Sequence, residues 1–347
     1  MTPISALGEF GLIRRLTDSL PQINSSTKVG VGDDCAVLQY NNGAQLVTTD
    51  MLMEGVHFDL VYTPLKHLGY KAAAVNFSDI YACGGTPRQL LVSIAVDHRI
   101  SVESLDQLYE GLRLACQHYG VDLVGGDTSS SLTGVALSLT AIGDAPSEGA
   151  ILRSGAKDTD LICVSGNLGA AYLGLQLLER EKKVFAASNA SPETAAQPDF
   201  SGHEYLLERF LKPEPRRDIL VALQEAGIRP TAMIDISDGL SSELLHLCRE
   251  SHCGCRVYEE RIPIDYQTAL CAEQMNLNVT TCALNGGEDY ELLFTVPLAQ
   301  HERIQELDDV RIIGHITRAE LGQILVTRGE AQEIELKAQG WVASTDK

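Results

Sequence analysis

Apolar and polar residues alternate along the chain with two periods, one typical of helices and one typical of strands. In the first half they predict a helix at 5–20, strands at 27–31 and 45–49, a helix at 66–82, a strand at 89–96, a helix at 102–119, and strands at 121–127 and 134–144. This order of strands and helices predicts an α/β sandwich with a mixed sheet.

The pattern restarts near residue 150, and 347 residues suggest about two domains, 1–150 and 151–347. The second half predicts a strand at 158–166, a helix at 167–181, helices at 203–211 and 215–226, a strand-turn-helix unit at 232–250, and strands at 291–296, 309–315 and 323–328. Residues 184–202 are small, polar and proline-containing, which predicts an exposed loop.

The composition limits the partners that the protein can have. The chain is 44% hydrophobic and 21% charged, with a net charge of −20 at pH 7. Such an acidic chain is unsuited to nucleic acid or to an anionic membrane. We find no apolar run of about 18 residues that could span a bilayer. The nine scattered cysteines and the charged N-terminal stretch, which lacks an apolar signal core, predict a reduced, cytoplasmic protein.

A cluster of cysteine and histidine residues lies at 246–255, in "HLCRESHCGC". It allows two interpretations. One is a zinc site, although paired C-x-x-C spacing is missing. The other, which we favour, is the end of a helix followed directly by a strand.

The chemistry-bearing feature is a set of aspartates beside glycines and hydroxyl residues. We expect them at strand ends or in strand-to-helix turns, except for one on a predicted helix: Asp33, Asp34, Asp50, Asp127, Asp235 and Asp238, with Asp79 on the helix. Any one alone could be a turn residue or a helix cap. As a set they offer only oxygen ligands, which suit magnesium. Repulsion between two converging acids is about 4 kcal/mol, which divalent cations would relieve. Asp238 and Gly239 open a helix, where N–H groups favour a phosphate. The set therefore predicts magnesium and phosphate.

Other phosphate-binding machinery is missing from the sequence. There is no G-x-x-x-x-G-K-[ST] loop and no G-x-G-x-x-G loop with a kinase catalytic loop. The spacing in "DISD" also differs from the D-x-D of an aspartyl-phosphate transferase. A nucleotide would have to be bound by another scaffold.

The motifs resemble those of the thiamine-monophosphate kinase family, and they follow in order from residue 8 to residue 296. They are "GEFGLI", "GVGDDCAVL", "VTTDMLMEGVHF", "KAAAVNFSDIYACGGTP", "VGGDTSS", "LRSGAK", "IDISDGLSSEL" and "GGEDYELLFTV". The stretches "GGEDYELLF" and "TTD…EGVHF" distinguish this family from aminoimidazole ribonucleotide and selenophosphate synthetases.

The resemblance implies two α/β domains of the aminoimidazole ribonucleotide synthetase-like fold, in which 1–150 binds ATP and magnesium and pairs in a homodimer. It also implies that ATP phosphorylates thiamine monophosphate to thiamine diphosphate. The acceptor would be a phosphate that is already anionic at neutral pH, so no general base is needed. We therefore expect direct in-line transfer.

The resemblance also assigns roles to residues. It implies magnesium ligands at Asp33, Thr48, Thr49, Asp50, Asp79, Asp127, Asp235 and Asp238. Of these, Asp50, Asp127 and Asp238 would be catalytic. ATP contacts would be Gly126, Asp127, Arg153 and Ser237, and substrate contacts His57, Glu288 and Trp341.

Several alternatives stay open at this point. His57 could be a loop histidine, Glu288 a turn residue and Arg153 part of a surface ion pair. Trp341 could clasp the tail, because the chain ends "GWVASTDK" without the family's His-Phe element. For the whole protein, the alternatives are an ATP-dependent synthetase of the same superfamily and a non-catalytic dimer that binds divalent cations.

Overall fold

The computed structural model describes residues 24–40, 43–188 and 199–338. The helix predicted at 5–20 and the substrate contact predicted at Trp341 lie outside these ranges. Within them the chain forms two mixed sheets flanked by helices, which confirms the predicted α/β class.

The first sheet is built from strands of the first half of the chain. These are β1 (Thr27–Val29), β2 (Ala36–Tyr40), β3 (Gly43–Met53), β4 (Thr86–Val96), β5 (Asp122–Ser130) and β6 (Ala136–Asp144), in the spatial order β1-β2-β3-β6-β4-β5. Only the β4–β5 pair is parallel among these strands. One face of the sheet packs against α1 (Leu65–Ala82), which packs in turn against α2 (Val102–Tyr119).

Helix α1 is buried around most of its surface, with only a few partly exposed residues. It lies between the first sheet, α2 and strands of the second half of the chain. A helix that is apolar all round is normally a core helix, and the alanines of "YKAAAV" fit that position. The polar residues of α1 are therefore buried where the two halves of the chain meet, and they need specific partners there.

The second sheet is built from the second half of the chain. Its strands are β7 (Leu161–Ser165), β8 (Ala232–Asp235), β9 (Cys253–Tyr258), β10 (Leu292–Val296), β11 (Val310–Arg318), β12 (Gln323–Val326) and β13 (Glu333–Glu335), in the order β13-β12-β9-β11-β7-β10-β8. The helices are α3 (Ala170–Ser188), α4 (Glu204–Leu211), α5 (Arg217–Glu225), α6 (Leu240–Glu250), α7 (Tyr266–Gln274), α8 (Val279–Asn285) and α9 (His301–Gln305). Strands β7 and β10 are buried along their whole length, as central strands covered on both faces are. Strand β8 lies at the edge of the sheet and is also buried, because α1 packs against it.

Three predictions of local structure need correction. Asp50 and Asp127 lie inside strands β3 and β5 rather than at strand ends, because β6 pairs with β3 as far as Met53 and β4 pairs with β5 as far as Ser130. Residues 184–188 belong to helix α3 and not to a loop. Short α7, α8 and β13 were not predicted, since each is too brief to show a clear period.

The cysteine group at 246–255 lies at the end of a helix that is followed directly by a strand, as we favoured over a zinc site. Helix α6 ends at Glu250 and β9 begins at Cys253. Cys248, Cys253 and Cys255 lie in the apolar core of the second sheet, and all nine cysteines are buried free thiols. In the part of the chain that the structure describes, we find no helix long and apolar enough to cross a membrane.

Candidate active site

Five aspartates converge where the two halves of the chain meet, and we call them the acidic cluster. Its members are Asp33, Asp34, Asp50, Asp79 and Asp235. One carboxylate oxygen from each of Asp34, Asp79 and Asp235 lies within 4.8 Å of the other two. Three carboxylates so close together are a donor set for a hard cation.

Different elements bring these acids together. Asp33 and Asp34 occupy the turn before β2, Asp79 lies near the end of α1, and Asp235 ends β8. Two hydroxyls from the first half of the chain bond to them. The Thr48 Oγ1 donates to Asp79 Oδ2 at 2.5 Å, and the Ser78 Oγ donates to Asp235 Oδ2 at 2.5 Å. Ser78 and Asp79, which are adjacent in α1, thus bond to the second and the first half of the chain respectively.

The electrostatics of the cluster reflect an excess of acid. Burial, with smaller contributions from neighbouring carboxylates, raises the pKa of Asp33 to about 7 and that of Asp50 to about 6. Burial also raises the pKa of Asp235 to about 7 and that of Asp79 well above its usual value. These acids resist ionisation because charge is costly in a buried site.

Arg153 is the cation that contacts this cluster. Its guanidinium Nη2 donates to Asp34 Oδ1 at 2.7 Å, and its backbone N–H donates to Asp33 Oδ2 at 3.1 Å. The second oxygen of Asp34, Oδ2, is buried and has no hydrogen-bond partner among the described residues. A carboxylate oxygen buried in this way fits a metal ion, and one arginine cannot neutralise five acids.

Two predicted magnesium ligands on the first sheet, Thr49 and Asp127, do not face the acidic cluster. Thr49 alternates with Asp50 and so faces the opposite side of β3, where its hydroxyl donates to Leu139 O at 2.8 Å. Asp127 lies exposed on the edge strand β5. The sheet register pairs Asp50 with Leu139, Leu139 with Val92 and Val92 with Gly126.

This register separates Asp127 from the acidic cluster. Three strand spacings put Gly126 about 14 Å from Asp50, and Asp127, one residue on, faces the other side of the sheet. Gly126 itself leaves no room for a side chain, since a Cβ there would lie 1.8 Å from Val92 O. The described chain therefore does not bring Asp127 to the acids that the sequence grouped with it.

A tight turn joins β8 to α6 and carries Ser237 and Asp238. The Glu243 Oε1 accepts the backbone N–H of Asp238 at 2.9 Å and that of Ser237 at 3.3 Å. Glu243 is 2% exposed, and its burial, with the nearby Asp238, raises its pKa well above the usual value. Burial and then Glu288 raise the pKa of Asp238.

Sequence reasoning missed Glu243. The signal was present in "SDGLSSEL", where a Glu in the first helical turn follows an Asp-Gly start, as in a capping arrangement. Here the glutamate reaches back to the turn and fixes its shape. Its carboxylate also accepts two backbone N–H groups just before the helix. We had expected the N–H groups at this helix start to bind a phosphate.

The residues predicted on the substrate side, His57 and Glu288, lie together beside a residue that the sequence reasoning overlooked. Lys71 of α1 is 3% exposed, and its Nζ lies 2.5 Å from Glu288 Oε2. The His57 Nδ1 accepts the backbone N–H of Met53 at 3.0 Å. Burial lowers the pKa of His57, while Glu288 raises it and Lys71 lowers it. The clue to Lys71 was a lysine directly before the apolar run "AAAV" in a helix whose sequence predicts burial.

Glu288 belongs to a turn with unusual backbone geometry. Its φ is 59° and that of Tyr290 is 51°, both in the left-handed region that non-glycine residues rarely adopt. The Glu288 N–H donates to Ser237 O at 2.6 Å, which ties this turn to the one carrying Asp238. Strained residues of this kind are frequent at functional sites.

A second buried ionic group lies nearby, and we call it the arginine network. It consists of Arg209, Arg216, Asp289 and Glu291. Glu291 bonds to Arg209 at 2.9 Å and to Arg216 at 2.5 Å, and Asp289 Oδ2 accepts the N–H of Gly169, just before α3, at 2.8 Å. Arg216 also pairs on its outer side with the exposed carboxylates of Asp218 and Asp309, each at 2.7 Å. In the buried part of the network that the structure describes, two cations face two acids, so both buried acids are already paired.

Known proteins resemble this chain over most of its length. A family model described as AIR synthase related protein, N-terminal domain, matches residues 32–145. The chain is 36% identical to a thiamine-monophosphate kinase from Bacillus subtilis (strain 168) over 301 residues, covering 86% of this chain and 87% of that one. It is 34% identical to a thiamine-monophosphate kinase from Aquifex aeolicus (strain VF5) over 317 residues, covering 91% and 94%.

A solved structure gives the same result in three dimensions. The chain superposes on AaThiL complexed with AMPPCP and TMP with a TM-score of 0.82 and 32% sequence identity, over 99% of each chain. Because sequence identity at this level extends over most of the chain and the folds coincide, the chain belongs to the thiamine-monophosphate kinase family and has the AIR synthase-like fold.

Proposed function

We propose that this protein transfers the γ-phosphoryl group of ATP to the phosphate of thiamine monophosphate and so makes thiamine diphosphate. Membership of the kinase family supports this, as do the ligands of AaThiL, an ATP analogue and TMP. The observation that carries the proposal is the acidic cluster, in which five buried or half-buried carboxyls meet one guanidinium among the described residues. Such a site is completed by cations and by the phosphates that they bring.

The residues fit magnesium. Their donor atoms are oxygens, and three of these oxygens lie within 4.8 Å of one another. Asp34 Oδ2 is buried and has no hydrogen-bond partner in the described ranges. We propose as magnesium ligands Asp33, Thr48, Thr49, Asp50, Asp79, Asp127, Asp235 and Asp238, with Asp34 added from the structure. These residues would hold Mg²⁺, and its positive charge would offset the negative charge of the carboxylates and of the phosphates.

The chain's own groups orient the reactants. Arg153 offers a guanidinium beside the acids, which suits a phosphate oxygen. Gly126 has no side chain, so a nucleotide can approach its backbone closely. We place the Ser237 hydroxyl on the nucleotide, and His57, Glu288 and Trp341 on the acceptor. Asp50, Asp127 and Asp238 would lie nearest the transferring group.

No residue needs to act as a general base. The acceptor phosphate has a second pKa of about 6, so it is already mostly anionic at neutral pH. Positioning and charge neutralisation then supply most of the rate acceleration. We propose direct in-line transfer, with no phosphorylated residue as an intermediate.

The placement of Asp127 supports a homodimer formed through the first domain, which we assign to 1–150. In the described ranges, β5 has no partner beyond β4, and the Thr48–Met53 half of β3 has none on the side away from β6. Met51 and Val124, on these edges, are 60% and 55% exposed. A second copy pairing along these edges would bring its Asp127 towards Asp50 and complete the site.

Complementation between variants tests this dimer. Asp50→Asn and Asp127→Asn should each be inactive alone. After mixing and subunit exchange, a mixed dimer has one site with both substitutions and one with neither, so about a quarter of the activity should return. Mass spectrometry should first verify that subunits have exchanged. If no activity returns after verified exchange, Asp127 acts within its own chain.

Substrate assays test the reaction itself. With magnesium and ATP, thiamine monophosphate should be converted to the diphosphate, while free thiamine should not, because its hydroxyl needs help to lose its proton. Equal turnover of thiamine would contradict the proposal. ADP release with other acceptors would favour a synthetase, and no ADP release at all would favour a non-catalytic cation-binding protein.

The absence of a covalent intermediate can be measured separately. Protein incubated with γ-labelled ATP and magnesium, without acceptor, should carry no label after denaturation. A labelled aspartate would overturn in-line transfer and leave the overall reaction standing.

A further inference from the structure

Lys71 has an unusual environment for a lysine. It lies on α1, seven residues or about two turns before Ser78, whose hydroxyl donates to Asp235, so the two residues share the helix face that meets the second half of the chain. Its side chain is 3% exposed. A lysine buried to this extent needs a specific reason, because desolvating its charge is costly.

Among the described residues, the Lys71 ammonium contacts the second half of the chain. The Nζ lies 2.5 Å from Glu288 Oε2, donates to Phe210 O at 3.0 Å and sits 3.9 Å from the centroid of the Phe210 ring. The carbonyl and the ring fix the ammonium from one side. The ammonium in turn holds one oxygen of Glu288.

The pair is asymmetric, which argues against a purely stabilising role. Lys71 is buried, but the Glu288 side chain is 27% exposed. Buried ion pairs add little net stability, and an apolar side chain would fill the space at least as well. What the lysine supplies, and an apolar side chain would not, is a fixed direction for the Glu288 carboxylate.

The backbone of Glu288 is already restrained by its left-handed φ of 59° and by its N–H bond to Ser237 O. Lys71 restrains the end of the side chain as well. The carboxylate is therefore fixed in advance, close enough to His57 and Asp238 for its charge to raise the pKa of each. A group fixed before the ligand arrives loses less entropy on binding.

His57 supplies the complementary group. Its Nδ1 accepts the backbone N–H of Met53, so in the neutral ring the proton is on Nε2. A donor on His57 and an acceptor on Glu288 match a heterocycle that has an amino group beside a ring nitrogen. Thiamine monophosphate has such an aminopyrimidine ring.

We propose that Lys71 is a positioning residue that fixes the Glu288 carboxylate for the amino-substituted ring of the acceptor, so that loss of Lys71 weakens acceptor binding and spares ATP binding. This inference rests on the proposed function. Lys71 acts through Glu288 and does not itself touch the reacting phosphates.

The test is steady-state kinetics of Lys71→Met, with thiamine monophosphate and ATP varied in turn. We expect the KM for thiamine monophosphate to rise about ten- to a hundredfold, as for loss of a hydrogen bond to a charged group, while the KM for ATP stays within about twofold. Lys71→Arg keeps the positive charge and should recover most of the loss. Lys182→Met is the matched control, because Lys182 also pairs with an acid, Asp59, at 2.5 Å.

A double-mutant cycle tests the route through Glu288. Glu288→Gln should also raise the KM for thiamine monophosphate. Adding Lys71→Met to it should raise this KM little further, since both substitutions disrupt the same Lys71–Glu288 pair. Independent, multiplying effects would overturn the proposal. The double variant also replaces a buried charge together with its partner, so it remains informative if Lys71→Met alone fails to fold.

The remaining outcomes separate the two hypotheses. Wild-type protein without thiamine monophosphate kinase activity would refute the proposed function and this inference with it. Wild-type activity with an unchanged acceptor KM in Lys71→Met would refute only the role of Lys71. A lower melting temperature with both KM values raised equally would mean that Lys71 is structural.

Discussion

The acidic cluster and the arginine network are both buried charged groups near the junction of the two halves of the chain, and they differ in balance. In the buried part of the arginine network two guanidinium groups meet two acids, Asp289 and Glu291, while the further partners of Arg216, Asp218 and Asp309, are exposed to solvent. In the acidic cluster five aspartates meet a single described cation, Arg153. Residue type does not distinguish the two groups, since each contains carboxylates and arginine.

The difference shows how to distinguish a structural from a functional charge group. A balanced group is complete in the folded chain, so its members should be needed for stability. A group with excess acid is incomplete until a cation binds, so its members should cost stability in the metal-free protein and be needed for activity. Four substitutions or conditions can break or sharpen this contrast.

The largest effect should come from breaking the balanced network. Arg216→Met leaves Glu291 with one partner fewer, and we expect the free energy of unfolding to fall by about 3–5 kcal/mol, as for other broken buried pairs. Urea unfolding measures this. Arg229→Met is the control, because Arg229 pairs with the exposed Glu148 at 3.6 Å and should change stability by less than about 0.5 kcal/mol. A small loss in Arg216→Met would show that the network is not structural.

The next effect should be on turnover. Asp50→Asn removes a charge from the acidic cluster, and the barrier should rise by about 3–4 kcal/mol, which slows the reaction several hundredfold. The metal-free protein should melt at the same or a higher temperature, because a repelling carboxylate has been neutralised. Asp144→Asn, which removes an exposed partner of Arg88, is the control. Lower stability with normal turnover would make Asp50 a structural residue.

The third effect concerns pH. In the folded protein the pKa of Asp33 and Asp235 is raised to about 7 and that of Asp50 to about 6, from an ordinary value of 3.8. A raised carboxyl pKa stabilises the fold fully below the unfolded value, and this contribution is lost as pH rises through the folded values. The metal-free protein should therefore be about 2 kcal/mol less stable at about pH 8 than at about pH 5.

Magnesium should reverse most of that loss, because it binds the ionised carboxylates of the folded state. Urea unfolding at both pH values, with magnesium or with a chelator, measures the effect. Asp50→Asn should show a shallower pH dependence than the wild type. A pH dependence that is the same in the variant, and is unaffected by magnesium, would contradict an excess of acid in the cluster.

The smallest effect on stability should come from Asp127→Asn. Asp127 is exposed on β5 and lies away from the cluster, so the free energy of unfolding should change by less than about 0.5 kcal/mol. Its pH dependence should match that of the wild type. Turnover should nevertheless be lost if the residue reaches the site from a second copy. Normal turnover would remove Asp127 from the proposed site.

Sequence alone was a good guide to long periodic elements and to the chemical type of the site. The helices predicted at 66–82 and 102–119 correspond to α1 and α2 within one residue at each end. They could be predicted because helical spacing of apolar residues is a local property. The motifs likewise supplied the aspartates, since each stands in its own short stretch beside glycine or a hydroxyl residue.

Tertiary structure alone decided which of these groups meet. Ser78 and Asp235 are 157 residues apart and bond at 2.5 Å, whereas Asp127, which the sequence grouped with Asp50, lies across the sheet and faces away. Lys71 and Glu288, 217 residues apart, pair at 2.5 Å although nothing local joins them. Local pattern sets the period and chemistry of a segment, but partners across hundreds of residues are fixed only when the two sheets bury their faces around α1.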